Sequence, residues 1–346
     1  MMGGAKNRAT PRKRETLVLA NGPHPKIVPQ TDELPRIHLS HTVVHAKELE
    51  EEFLKCSGVR YRCFSFVYID PEAIYWSSRA LESFEVNVAH GNPIMLDSGA
   101  FSFHIFALKN KNVGNIEKLR EKTIELYVRF VKKHSKDISW CVTFDWTQDV
   151  RVVWGVTKIL EEHGLKPVPV YHGDDSLDWL KKYLDAGYTR IGISSLARRK
   201  SDYKKTRFYL DQVFRAVEGY KVKLHGFAVT SIALAYAYPW HSVDSSSWSR
   251  TASYGAIYAL EPDRGSMTAQ HVSLTGGLKS STRSTTELSP AAMKSIRQQV
   301  EKNGFDFELL QRSLAYRFVY NGWIFAHMNQ WKDTFRDRYM KMEPIL

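Results

Sequence analysis

Cysteine is scarce in this sequence: the chain of 346 residues contains three, Cys56, Cys63 and Cys141. They are far apart and none belongs to a Cys-x-x-Cys pair, so neither a disulfide framework nor a cysteine-rich zinc site can be assembled from them. Such cysteine usage is typical of a reducing compartment. Cys141 lies in an apolar, strand-like run, and we expect it to pack in the core.

Long apolar runs are also absent. No stretch approaches the roughly 18 consecutive apolar residues of a membrane-spanning helix. The run TLVLA at 16–20 is too short for the apolar core of a signal peptide. We therefore expect a soluble, cytoplasmic protein that does not bind membranes.

Three sequence motifs of common enzyme classes are missing. No strand-like segment is followed by Gly-x-Gly-x-x-Gly, the dinucleotide-binding fingerprint, or by Gly-x-x-x-x-Gly-Lys-Ser/Thr, the phosphate-binding loop of many nucleotide hydrolases. The serine run at 245–247 lacks the Gly-x-Ser-x-Gly turn of the α/β-hydrolases. Serine hydrolysis and dinucleotide chemistry are therefore not expected.

Negative charge is in deficit, with 49 Lys and Arg residues against 37 Asp and Glu residues and a formal net charge of +12. The excess is concentrated in residues 1–14, with five bases and no acid, and in residues 196–207, with six bases and one acid. Each stretch alone is compatible with a solvated tail or helix face, but together they favour a polyanionic partner, with nucleic acid as the leading candidate. The predicted phosphate contacts in the second stretch are Arg198, Arg199, Lys200, Lys204 and Lys205.

What the sequence does contain is an alternation of short apolar segments with amphipathic ones. Residues 1–35 hold five prolines and little periodicity, and we interpret them as a basic, extended N-terminal arm. Helical periodicity is clearest over 115–134 and 175–187. The β-rich segments are 63–69, 93–96, 139–144, 167–171, 190–194, 223–229, 241–245 and 255–260.

This alternation predicts a parallel sheet covered by helices, and eight strands predict a (β/α)8 barrel over residues 36–275. An open, doubly wound sheet is the alternative, and the link between the last two predicted strands is short for a barrel helix. Residues 276–346 are predicted to be a helical extension packed on the barrel. One of its helices should begin at a Ser289 cap with Pro290 as its first residue, and its aromatic residues should pack in the core.

In a (β/α)8 barrel the active site lies at the carboxyl ends of the strands, and three acids occupy that position here. Asp97, Asp145 and Asp244 each lie within or directly after an apolar strand segment. A single acid there is usually a cap or a loop acceptor, but gathered carboxylates raise one another's pKa values unless a reaction or a cation uses them. Two functions fit: a divalent metal site, or nucleophilic and acid/base chemistry at an anomeric carbon.

Five motifs surround these acids in order along the chain: LDSGAFS (96–102), VTFDW (142–146), VYHG (170–173), HGFAV (225–229) and VDSSSWSR (243–250). Together they resemble the queuine/archaeosine tRNA-guanine transglycosylases, and look most like their divergent phage and bacterial relatives that insert 7-deazaguanines into DNA. The resemblance covers about residues 60–260. Its most specific features are the Asp-Ser-Gly-Ala-Phe match and the interval from Asp244 to Arg250.

The resemblance implies a role for each matching residue. Asp244 would attack C1′ of a guanosine nucleotide, expel guanine and hold the sugar as a covalent ester, while Asp97 would protonate the departing base and deprotonate the incoming one. Asp145 would accept hydrogen bonds from the N1–H and exocyclic amine of guanine, and Arg250 would contact a nearby phosphate. The other base-binding residues that it implies are Ser98, Gly99, Phe101, His172, Gly173, Val229 and Thr230.

The sequence departs from the family pattern at three places. His172-Gly173 replaces the family's Gln-Gly, so contacts to the polar edge of the base must differ. Thr230-Ser231 replaces the family's Gly-Glu. Because that glutamate is missing, a nitrile or an amidine group at position 7 of the incoming base stays possible. The cysteine-rich zinc site of the tRNA enzymes cannot exist with three cysteines, which weighs against tRNA as the substrate.

We therefore expect guanine exchange in DNA, with a free base such as 7-cyano-7-deazaguanine as the second substrate, no cofactor and no catalytic metal. Three alternatives stay open: the same chemistry on tRNA, a catalytically silent barrel that binds nucleic acid, and a metal-dependent hydrolase. His225 and His241 are expected to be core residues or donors behind the site. A homodimer or an auxiliary subunit is compatible with the sequence, and a phage-encoded protein would work in the host cytoplasm.

Overall fold

A parallel eight-stranded sheet is the centre of the computed structural model. The model describes residues 23, 29–40, 47–109, 116–145, 149–173, 175–194, 203–229, 231–261, 266–274 and 289–339. The strands are β1 (Arg36–Ser40), β2 (Arg62–Ser65), β3 (Ile94–Asp97), β4 (Ile138–Cys141), β5 (Val170–Tyr171), β6 (Arg190–Ile193), β7 (Lys223–Gly226) and β8 (Ser242–Ser245). Their order in the sheet is β4-β3-β2-β1-β8-β7-β6-β5, and every pairing is parallel.

The two end strands of this sheet, β4 and β5, also meet. Past the end of β4, Val142 forms a parallel bridge with Val168, two residues before β5. The Thr143 N–H donates to the Val168 carbonyl at 2.9 Å, and the Val168 N–H donates to the Cys141 carbonyl at 2.8 Å. The predicted (β/α)8 fold class is confirmed, and with it the core position of Cys141, which is buried.

The set of strands differs from the predicted one in two places. The segment predicted as a strand over 63–69 leaves the sheet at Ser65, and Phe66–Ile69 form a short helix instead. The segment predicted as the eighth strand, 255–260, forms β9 (Ala256–Glu261), which pairs with β10 (Ser266–His271) in an antiparallel hairpin outside the barrel. Its place in the barrel belongs to β1, which the sequence pattern does not reveal.

Helices lie between the barrel strands as the periodicity predicts. The helix expected over 115–134 spans Ile116–Lys133, and the one expected over 175–187 spans Leu177–Asp185 with Ser176 as its cap. The helices up to the hairpin are α1 (Lys47–Ser57), α2 (Phe66–Ile69), α3 (Ser78–Ala89), α4 (Ala100–Lys109), α5 (Ile116–Lys133), α6 (Val150–Glu162), α7 (Leu177–Asp185), α8 (Tyr203–Ala216), α9 (Ile232–Ala237) and α10 (Ser247–Ser253).

The C-terminal helices pack on the barrel. They are α11 (Pro290–Lys302), α12 (Phe307–Arg312), α13 (Leu314–His327), a 3₁₀ turn at Met328–Trp331, and α14 (Lys332–Tyr339). The predicted start of α11 is confirmed, since the Ser289 side chain accepts from the Ala292 N–H and Pro290 follows it. On α13, the Asn321 side chain donates to the Trp248 carbonyl and accepts from the Tyr258 N–H, each at 3.0 Å.

The close approach of α13 to α1 uses a glycine. A Cβ on Gly322 would lie 2.5 Å from the ring of Phe53, so any larger residue would separate the two helices. As expected, the aromatic side chains of this region pack in the core, and the buried ones include Tyr316, Phe318, Trp323 and Phe325.

The end of the predicted N-terminal arm also contacts the barrel. Gln30 is buried, and its side chain donates to the Ile37 carbonyl at 3.0 Å and accepts from the Tyr61 N–H at 3.3 Å. Residues 1–22 and 24–28 lie outside the described part of the chain. Within that part, no helix is long and apolar enough to cross a membrane.

Candidate functional site

The three predicted acids share the carboxyl end of the barrel. Asp97 is the last residue of β3, Asp145 follows β4, and Asp244 is the third residue of β8, where it pairs in register with His38 of β1. The charges of Asp145 and Asp244 both raise the pKa of Asp97. The grouping expected from strand ends is therefore present in the fold.

Hydrogen-bond donors surround the carboxylate of Asp244. Its Oδ1 accepts from the Ala228 N–H at 2.8 Å, and its Oδ2 accepts from the Ser40 hydroxyl at 3.2 Å. The side chain is 12% exposed, so this carboxylate is largely removed from water. Donors on both oxygens stabilise negative charge there and fix the carboxylate's orientation.

The backbone at Ala228 is unusual. Its φ of +53° places an alanine in the left-handed region, a conformation that costs a non-glycine residue about 1 kcal/mol or more. The loop after β7 is tightly packed here, since a Cβ on Gly226 would lie 2.6 Å from the Val229 side chain. This conformation directs the Ala228 N–H at Asp244, so local strain coincides with a contact to the predicted nucleophile.

His225 lies behind Asp244, as expected for a core residue or donor. Its Nε2 is 3.5 Å from Asp244 Oδ1, and its Nδ1 is 2.9 Å from the Ser242 hydroxyl oxygen. Burial lowers the pKa of His225, against the opposing effect of Asp244, so the ring is neutral at neutral pH. A neutral imidazole does not neutralise a carboxylate, and His225 Nε2 makes no hydrogen bond within the described residues.

Asp97 has a different environment. Burial, followed by the charge of Asp145, raises its pKa to about 7, against the lowering effect of the Gly99 N–H, which donates to Asp97 Oδ2 at 3.0 Å. Asp97 pairs in register with Ser65 of β2. A carboxyl group with this pKa exchanges protons near neutrality, which is what a general acid and base requires.

The turn after Asp97 requires glycine at position 99. Gly99 has φ +75°, and a Cβ there would lie 2.5 Å from Val67 Cγ2 and 2.9 Å from the Ser65 hydroxyl oxygen. Ser98 is fully buried, whereas Phe101 on the first turn of α4 is 77% exposed. The ring of Phe101, four residues after Asp97, is thus exposed, as a stacking role would need.

Asp145 is next to His172, which follows β5. His172 Nε2 lies 3.3 Å from Asp145 Oδ2, and the His172 N–H donates to Asp175 Oδ2 at 3.2 Å. His172 is 5% exposed, and neither ring nitrogen makes a geometrically acceptable hydrogen bond within the described residues. Asp145 thus offers a hydrogen-bond acceptor, and His172 offers a ring nitrogen without a hydrogen bond, at the same mouth of the barrel. Gly173 directly follows His172 in the chain.

The remaining predicted contacts are exposed, buried or outside the described residues. Arg250 is exposed on α10, and Lys204 and Lys205 are exposed on the first turn of α8. Val229 is buried beside the strained Ala228. Thr230, Arg198, Arg199 and Lys200 lie outside the described residues, so their predicted roles stay predictions.

Two contacts of the site were not predicted. Ser40, a donor to Asp244, ends β1, a strand whose sequence RIHLS has little apolar character. The Ala228 N–H is a backbone donor, and no side-chain motif in the sequence predicts it. Among the described residues, no group of three or more His, Cys, Asp or Glu residues is arranged to hold a metal ion.

No protein-family model and no curated protein matches this chain. Solved structures are similar to it at low identity. A protein from Aquifex aeolicus VF5 aligns at 14% identity over 62% of this chain and 84% of its own, with a TM-score of 0.37. The tryptophan synthase alpha chain of Legionella pneumophila subsp. pneumophila aligns at 12% identity over 61% and 78%, with a TM-score of 0.32. Its counterpart from strain Paris aligns at 12% over 61% and 79%, with a TM-score of 0.31. Likenesses of this size carry no functional information.

Proposed function

We propose that this protein is a transglycosylase that exchanges guanine in DNA for a 7-deazaguanine derivative through a covalent aspartyl intermediate. The observation that supports it is a pair of carboxyl groups in opposite environments at one barrel mouth. Asp97 has a pKa of about 7, whereas Asp244 accepts hydrogen bonds on both oxygens. Two carboxyl groups that differ in this way suit an acid and a nucleophile.

Asp244 acts as the nucleophile in this proposal. One carboxylate oxygen attacks C1′ of the target nucleotide, the C1′–N9 bond breaks, and its electron pair leaves with the base. Ser40 and Ala228 hold the carboxylate in one orientation, which reduces the reorganisation needed for attack. The product is a glycosyl ester on Asp244, with inversion at C1′.

Asp97 donates and accepts the proton in this proposal. Its carboxyl group gives a proton to the departing guanine, which leaves as a neutral base, and the resulting carboxylate later removes the N9 proton of the incoming base. That base then attacks C1′, and the ester bond to Asp244 breaks with a second inversion. The net change is base for base with retained configuration, and both carboxyl groups return to their starting states.

Asp145 selects the base. An ionised carboxylate accepts two hydrogen bonds from the N1–H and exocyclic amine of guanine, whereas adenine would present an acceptor to it. His172 Nε2 lies 3.3 Å from Asp145 Oδ2, and its ring would stand beside the polar edge of the base. Both guanine and 7-deazaguanines carry that edge, so one pocket serves the departing and incoming bases.

DNA is the proposed polymer because the chain is basic and lacks the cysteines of the tRNA enzymes' zinc element. The net charge is +12, and Arg250 is exposed one helical turn after the nucleophile's strand. A nucleotide in duplex DNA must leave the stack to reach the carboxylates, which costs a few kcal/mol. The exposed ring of Phe101 offers a surface on which an unstacked base can rest.

Base exchange is tested with labelled guanine and labelled 7-cyano-7-deazaguanine offered to plasmid DNA, denatured DNA and bulk tRNA. Wild-type protein and the Asp244→Ala variant are compared side by side. The proposal expects label in DNA, faster in denatured than in duplex DNA, and none with the variant. Label in tRNA alone would show that the substrate of the same reaction is tRNA. No label in any polymer, with DNA binding retained, would favour a silent nucleic-acid-binding barrel.

A further inference from the structure

The opposite, N-terminal mouth of the barrel is lined by basic residues on four neighbouring strands. β1 begins at Arg36, β7 at Lys223 and β6 at Arg190, and His241 directly precedes β8. Arg190 and Lys223 are register partners, and the Arg36 N–H donates to the His241 carbonyl at 3.1 Å. Because the sheet order is β1-β8-β7-β6, these four residues form one continuous arc.

This arc has little compensating negative charge. Arg36 has one acid partner, Asp32, at 3.9 Å, and that carboxylate is 64% exposed and also accepts from the Tyr61 hydroxyl. Within the described residues, no carboxylate lies within 4 Å of Arg190, Lys223 or His241. The Arg36 Nε is buried and has no hydrogen-bond partner there.

Aromatic rings hold the two guanidinium groups in place. The Arg190 guanidinium lies 4.7 Å above the ring centre of Trp140, and that of Arg36 lies 5.6 Å from the ring centre of Tyr61. The ring of His38 lies between them, 5.8 Å from Trp140 and 5.3 Å from Tyr61. Stacked in this way, both guanidinium groups are ordered before any ligand arrives.

The bases of the arc repel one another. Burial, and then the charge of Arg36, lower the pKa of Arg190. Burial followed by Arg190, Arg36 and Lys223 lowers the pKa of His241 to about 4. His241 is therefore uncharged at neutral pH, and the repulsion is among Arg36, Arg190 and Lys223. A bound anion would offset that repulsion.

We propose that the N-terminal mouth binds a phosphate-type oxyanion between Arg36 and Arg190. Two ordered guanidinium groups match the oxygens of a phosphate group by paired N–H donors, and Lys223 adds a further positive charge. The phosphate belongs either to a small free anion or to a nucleic-acid strand. The site lies at the end of the barrel opposite the carboxylates, so it does not depend on the proposed base exchange.

Binding is tested by calorimetric titration of full-length protein with sodium phosphate and with pyrophosphate, against sodium chloride at equal ionic strength. Wild type should bind phosphate in preference to chloride. Arg190→Gln and Arg36→Gln should each weaken that binding at least about tenfold, and Arg79→Gln on α3, at the other side of the fold, should not. Near-ultraviolet circular dichroism confirms that each variant is folded, and either arc variant alone is sufficient for the comparison.

The source of the phosphate is decided in the same experiment by adding a short single-stranded oligonucleotide. Competition between oligonucleotide and phosphate, lost in Arg190→Gln, would assign the site to a strand. Phosphate binding that is indifferent to the oligonucleotide would assign it to a small anion. Wild type that binds phosphate no better than chloride, or arc variants that keep wild-type affinity, would overturn the proposal.

Discussion

The two mouths of this barrel contain charged side chains of opposite sign, and these side chains have different partners. At the carboxyl ends, Asp244 accepts hydrogen bonds on both oxygens and Asp97 has a pKa of about 7. At the amino ends, Arg190 meets an aromatic ring and no acid among the described residues. The protein itself supplies hydrogen-bond donors to Asp244 and to Asp97, whereas Arg190 would gain a charge partner only from the proposed anion.

The largest effect is expected from replacing Asp244, the proposed nucleophile. We expect Asp244→Asn to lower the rate of base exchange by about 10⁴-fold or more, because an amide oxygen does not form the glycosyl ester. The measurement is incorporation of labelled base into denatured DNA. Asp333→Asn, a change of the same kind on the exposed face of α14, is the matched control and should exchange base at the wild-type rate. Equal rates in the two variants would remove Asp244 from the mechanism.

The raised pKa of Asp97 predicts a pH profile. The base must leave with a proton, so kcat/KM should fall as the pH rises through about 7 and Asp97 loses its proton. Asp97→Asn should lower exchange by on the order of 10²–10⁴-fold and remove that alkaline limb. Profiles of both proteins between pH 5 and 9 make the comparison. An alkaline limb that persists in the variant would assign the titration to another group.

The Ser40 hydroxyl at the end of β1 donates to Asp244, the proposed nucleophile, and its loss should have a smaller effect. A hydrogen bond to a charged group contributes about 1.5–3 kcal/mol, so Ser40→Ala should reduce kcat by about 10- to 100-fold. Ser40→Thr keeps the hydroxyl and should recover most of the activity. Should the alanine and threonine variants be equally slow, the hydroxyl is not what matters at this position.

The raised pKa of Asp97 also predicts a dependence of stability on pH. Its folded-state pKa of about 7 exceeds the reference value of 3.8, so the unfolded chain loses this proton first. The free energy of unfolding contributed by this group therefore decreases as the pH rises from about 4 to 7, and is level above that. Urea unfolding of Asp97→Asn should show a weaker decrease over this interval than wild type. Parallel curves would place the pKa of Asp97 near its ordinary value.

The sequence predicts the barrel and its three acids because both depend on local patterns. Apolar segments alternate with amphipathic helices, and Asp97, Asp145 and Asp244 stand at strand ends. The strand β1 is not predicted because Arg36, His38 and Ser40 occupy its alternate positions and interrupt the apolar run. Because β1 is not predicted, the contact of Ser40 with Asp244 is not predicted either.

The remaining features depend on contacts between distant segments. The Ala228 N–H reaches Asp244 only because of one backbone angle, which no residue type specifies. The basic arc combines residues from positions 36 to 241, and only the pairing of β1, β8, β7 and β6 makes them neighbours. In the sequence these arginine, lysine and histidine residues are isolated and look like ordinary surface residues. Only the register of the strands places them side by side.

The proposed base exchange depends on a bond between Asp244 and C1′. It is tested most directly by incubating wild type and Asp244→Asn with denatured DNA, without added base, and separating the products in denaturing detergent. Wild type should give a protein–DNA adduct that disappears when guanine is added, and the variant should give none. Base exchange by wild type without any adduct, or an adduct that persists in Asp244→Asn, would contradict a covalent aspartyl intermediate at this residue.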